Sequence, residues 1–251
     1  MGKLMKYEFR KQLKSKVVVG VLTVLIEIAF LYGILADKDE WISGGLAFMI
    51  LLTFIGLFYF SFETVLTYSN DLKTKQSYML FLTPRSMYQI VGAKMLTTVV
   101  QIIGCGIFFA TILIGDVLLV FSQYSNVELT YEFLRDLFAE MELKIGIGDI
   151  AYYWVLFLIT WLEFVILAIF AITLSTTFFA NKKYKGVMSL VIYFVLNFFL
   201  NRVANILSNG YGEGEIMMIS MDGWIYFGIY TFAMIILFFG TTWLLEKKVS
   251  V

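Results

Sequence analysis

Histidine is absent from this chain, and cysteine and proline occur once each, as Cys105 and Pro84. These shortages exclude whole chemistries. A lone cysteine forms no disulfide within the chain, and without histidine there is no histidine-ligated haem or zinc. Ser-His-Asp and Cys-His catalysis fall for the same reason. No GxxxxGKS or GxxxxGKT loop occurs, so the chain has no P-loop cradle for the phosphates of ATP. Charge is scarce too, at 15% of 251 residues. We therefore expect no enzymatic activity, no metal and no cofactor here, with any work driven by a partner or an ion gradient.

What is abundant is apolar surface. Hydrophobic residues make up 60% of the chain and mean hydropathy is +0.84, so the bilayer is the expected solvent. A hydrocarbon core of roughly 30 Å asks for about 20 apolar residues per helix. Six runs meet this: Val17 to Ala36, Gly45 to Tyr68, Met95 to Phe121, Ile150 to Ala180, Gly186 to Ala204, and Gly223 to Leu245. Their length and weak alternation predict an all-α polytopic membrane protein with six transmembrane helices in a single domain spanning 1–251.

Basic residues gather in the N-terminus, in the second to third connection (Lys73, Lys75, Arg85, Lys94), in the fourth to fifth (Lys182, Lys183, Lys185) and at the C-terminus. The remaining connections are acidic. Short loops rich in Lys and Arg stay in the cytoplasm, which predicts both termini inside. The net charge of zero hides this asymmetry, which speaks against a nucleic-acid partner. Twenty apolar residues in the first run exceed the core of a cleaved signal peptide, so that run is expected to be a retained anchor.

The polar segments are the candidates for function. Residues 1–16 place Met5, Phe9 and Leu13 four apart among Lys3, Lys6, Arg10 and Lys14, the pattern of a short amphipathic helix at the headgroup boundary. In 69–94, Ser69, Asn70 and Asp71 are good N-cap residues, and Pro84 ends any helix they start, so a short cytosolic helix is expected there. Outside, within 122–149, Glu128, Glu132, Asp136 and Glu140 repeat every four residues along a second amphipathic helix.

In the order Asp71, a few polar residues, YMLFLTP, and a lysine opening the third span, the chain resembles a permease subunit of the ABC-2 family of ATP-binding-cassette transporters. The resemblance covers the whole length in topology. It implies a coupling helix seated on a separate ATPase subunit, with Asp71, Lys73, Lys75, Tyr78, Leu80 and Pro84 as the residues that fit that role. It also implies that the ATP is bound by that partner, that a second permease subunit, identical or not, completes the transporter, and that the site is the bacterial plasma membrane. The expected cargo of such an exporter is amphipathic or cationic: peptides, drugs or lipid-like compounds.

Buried charge is the remaining signal. Glu27 and Glu163 fall near the middle of the first and fourth spans, and Glu63 lies toward the inner end of the second. A carboxylate at the bilayer centre costs on the order of 3 kcal/mol on insertion scales. Either these three bond to hydroxyls such as Thr23, Thr160 or Tyr59 as packing contacts, or they line a translocation pathway. Gly104 and Gly106, with Ala168 and Ala171, are expected to allow close helix approach. Two other classes stay open: a proton-coupled secondary transporter that uses these glutamates, and a membrane immunity or scaffold protein that transports nothing.

Overall fold

The computed structural model describes residues 2–73, 86–123, 147–179, 184–207 and 221–247. Among them are seven helices and no strand: α1 (Gly2–Lys11), α2 (Leu13–Leu35), α3 (Asp39–Lys73), α4 (Met87–Gln123), α5 (Ile147–Phe178), α6 (Lys185–Leu207) and α7 (Met221–Lys247). All but α1 are long and apolar enough to cross a membrane, so the chain is an integral, multi-pass, all-α membrane protein.

Two spans are much longer than their apolar runs. At about 1.5 Å per residue, α3 and α4 reach roughly 50 to 55 Å, because they have 35 and 37 residues. The helix start expected at Ser69 to Asp71 does not occur; α3 continues through these residues to Lys73. Likewise α4 begins at Met87, and Lys94 lies inside it instead of at its edge. Both helices run through charged residues because those charges are neutralised locally, as described below.

The chain packs as two compact units, Met1–Glu8 with Ser61–Val99 and Asp149–Val251, and Phe9–Phe60 with Val100–Gly148. In the first, α5 is central: Val165, Ile166, Leu167 and Ile169 are wholly buried. They meet Val65 and Tyr68 of α3, Val91 of α4, and Leu237 and Leu245 of α7. Tyr68 donates its hydroxyl to Thr173 Oγ1 at 2.5 Å, and Thr173 donates in turn to the Ile169 carbonyl at 2.8 Å. Gly240 admits the Phe170 ring, which a Cβ there would meet at 3.1 Å.

In the second unit, the hairpin of α2 and α3 is closed by a Schellman motif. Asp37 takes a left-handed conformation (φ 51°), its N–H bonds to the Ile34 carbonyl at 3.3 Å, and Lys38 N–H bonds to the Gly33 carbonyl at 3.0 Å. The Lys38 carbonyl then starts α3 by accepting from Trp41 N–H at 3.1 Å. Two glycines let the helices touch: a Cβ on Gly33 would lie 2.9 Å from Ile42 N, and one on Gly45 would lie 2.8 Å from Phe30 Cβ. Phe30, Ile34 and Ile42 fill the space beyond, with Leu46 and Val120 against them. Of the small residues expected to permit close approach, Ala168 and Ala171 are buried, whereas Gly104 has open space at its Cβ position.

Many hydroxyls in these spans bond within their own helices. Thr23, Thr53, Thr97, Thr111 and Thr160 each donate to the carbonyl four residues earlier, at 2.7 to 2.9 Å. This local bond leaves no unsatisfied donor to face lipid.

Candidate functional site

Three deeply buried charged residues form one cluster. Lys94 Nζ donates to Glu8 Oε1 and to Asp71 Oδ2, both at 2.7 Å. The side chains of Lys94, Glu8 and Asp71 are 0%, 7% and 6% exposed. One cation therefore holds two carboxyls from two other helices, and Glu8 Oε2 is buried with no hydrogen-bond partner among the described residues. Removing three such groups from water is costly, and only close contacts of this geometry offset it.

The three residues join parts of the chain that matter to one another. Glu8 stands on α1, Asp71 lies in the last turn of α3, and Lys94 lies two turns into α4. The ends of α3 and α4 flank residues 74–85, so the Asp71 to Lys94 bond ties the entry of that segment to its exit. Glu8 adds the N-terminal helix to the same knot. In α1 the buried residue is this glutamate, and Met5 and Phe9 are only half-buried. The amphipathic helix expected over 1–16 is α1 only as far as Lys11, since Leu13 already opens α2, and the pattern overlooks the one acidic residue in a basic leader. That isolated acid was the available signal.

Asp71 is therefore an internal partner of Lys94 in this structure and not an exposed contact. Lys73 closes α3. Lys75, Tyr78, Leu80 and Pro84 lie outside the described residues, as does the acidic repeat from Glu128 to Glu140.

The three intramembrane glutamates are not brought together into one site. Glu27 of α2 is half-buried and lies near the buried Asp116 of α4. Glu63 is half-buried on α3, about two turns before Asp71. Glu163 is 7% exposed at the middle of α5, a helix with no lysine or arginine, and its Oε1 is buried without a hydrogen-bond partner among the described residues. Thr23 and Thr160, the hydroxyls expected to hold these acids, bond instead to the carbonyls of Val19 and Leu156.

Glu163 is within electrostatic reach of two tyrosines, Tyr193 of α6 and Tyr230 of α7. From Tyr193 a polar ladder runs along α6: Asn197 donates to the Tyr193 hydroxyl at 3.4 Å, and Asn201 donates to Asn197 Oδ1 at 2.7 Å. Tyr230 donates to Asn201 Oδ1 at 2.7 Å, and Tyr226 donates to Asn205 Oδ1, so α7 supports the ladder at two levels. An intramembrane carboxyl near a polar stripe makes this the candidate site among the spans. The residues Tyr193, Asn197, Asn201 and Asn205 are spaced four apart, a signal that was present in the sequence.

Among the described residues, no cluster of three or more metal-ligating side chains occurs. Comparison with known proteins yields no match: no family model, no curated protein and no solved structure corresponds to this chain.

Proposed function

We propose that the chain is the membrane subunit of an ATP-driven transporter of the ABC-2 kind, an exporter whose force comes from a separate ATPase docked on residues 74–85. The observation that carries this reading is the Lys94, Glu8, Asp71 cluster. A lever must be held rigidly at both ends to transmit displacement, and this cluster binds both helix ends and the N-terminal helix into one body. The absence of a P-loop motif and the basic residues around this connection agree with it. The termini then face the cytoplasm of a bacterial plasma membrane, a second permease subunit completes the pathway, and Glu163 with the polar ladder of α6 contacts amphipathic or cationic cargo.

Purification of the tagged chain from its native membranes tests the proposal. A protein containing a P-loop motif is expected to co-purify, identified by mass spectrometry, and the Tyr78→Ala, Leu80→Ala double variant is expected to reduce its recovery at least tenfold. If no such protein accompanies the wild-type chain, the proposal is wrong.

Two intramembrane carboxyls close to one another, Glu27 and Asp116, favour a second reading, proton-coupled transport. In liposomes containing the purified chain and a luminal pH dye, an imposed pH gradient with added tetraphenylphosphonium is expected to drive no cation-dependent proton flux. A flux that disappears in Glu27→Gln would establish the second reading in place of the first.

A further inference from the structure

The hairpin of α2 and α3 carries a groove of about 380 Å³ that neither the translocation pathway nor the ion cluster uses. One end is polar, formed by Lys14, Ser15 and Tyr59, and the rest is apolar, reaching Leu22 and Leu52 past Ile55. Along α2, the distance from Lys14 to Leu22 is about 12 Å at the helical rise. That is close to one leaflet of hydrocarbon, about 15 Å or half the thickness of the core. The groove thus begins at a cation and extends inward for about the length of one acyl chain.

Its chemistry is equally ordered. Lys14 is exposed, as is Arg10 one turn earlier, whereas Lys16 turns away, its ammonium 5.0 Å from the Phe9 ring centroid and 5.9 Å from that of Phe60. Basic pockets between spans select anionic headgroups, and an apolar cleft open to the bilayer is filled by a lipid chain. We infer that this groove is a binding site for an anionic glycerophospholipid, with its phosphate on Lys14 and the Tyr59 hydroxyl and one acyl chain between α2 and α3. The site does not depend on an ATPase partner, so it stands or falls separately from the proposed transport.

The test is a titration of the purified chain in detergent with phosphatidylglycerol and with phosphatidylcholine, bound lipid being counted by native mass spectrometry. Wild type is expected to hold phosphatidylglycerol about fivefold more tightly, the effect of one basic residue near a lipid headgroup. Lys14→Gln should erase that preference while retaining phosphatidylcholine binding, and Ile55→Trp, which fills an exposed wall of the groove, should weaken both lipids. Equal affinities in wild type, a preference that survives in Lys14→Gln, or unchanged binding in Ile55→Trp would each overturn the assignment.

Discussion

Replacing Lys94 with methionine is expected to destabilise the protein by about 3 to 5 kcal/mol, the range for breaking a buried ion pair by removing one partner. The reason is asymmetry. Methionine fills the space of the lysine stem, but the Glu8 and Asp71 carboxyls lose the ammonium that each meets at 2.7 Å. With side chains only 7% and 6% exposed, they have little water to replace it. Substituting all three residues together (Glu8→Leu, Asp71→Leu, Lys94→Met) is expected to be near neutral or stabilising, because no uncompensated charge remains. Thermal unfolding of the purified chain measures both. Limited trypsin digestion separates loss of α1 docking from global unfolding, since a released N-terminal helix is cut at Arg10 while the spans remain intact. A single variant as stable as wild type would show that Lys94 does not hold these helices.

Gly45→Leu is expected to give the second largest loss, about 1 to 3 kcal/mol for overpacking and more if the hairpin opens. Even the first added carbon would lie 2.8 Å from Phe30 Cβ and 3.1 Å from its Cα, and a backbone atom cannot swing aside as a flexible side chain can. Gly33→Ala meets backbone in the same way, 2.9 Å from Ile42 N. Gly20→Ala and Gly104→Ala are the matched controls. Nothing lies within 4 Å of either Cβ position, so these two are expected to be neutral, or to stabilise by up to about 1 kcal/mol through helix propensity. The same glycine-to-alanine change thus has opposite expected signs at positions 33 and 104, which thermal unfolding resolves directly.

The number and kind of spans could be read from hydropathy, because burial in lipid is a local and additive property of about 20 residues. Their ends could not. A window that averages apolarity stops at Tyr68 and restarts at Met95, where charge appears, yet α3 and α4 extend past both points because Asp71 and Lys94 neutralise each other across 23 residues of sequence. The good N-cap chemistry of Ser69 to Asp71 was overridden by that tertiary contact. Gly104 and Gly33 look alike in sequence, and only the partner helix distinguishes open space from backbone contact. For the candidate site, Glu27 and Glu163 were visible as isolated acids in apolar runs. The approach of Glu27 to Asp116 was not visible, because nothing local says which of several helices will face which.

The ion cluster also imposes an order on how the chain is made. Glu8 leaves the ribosome first, while Lys94 follows 86 residues later. At roughly 5 to 20 residues per second, that interval is about 4 to 17 seconds. Through it Glu8 has no cation to meet, and over its last 23 residues neither has Asp71, so an α1 that stays at the water interface while α2 and α3 enter the bilayer avoids burying an unpaired acid. The bond that holds α1 to α4 can form only once α4 has been made.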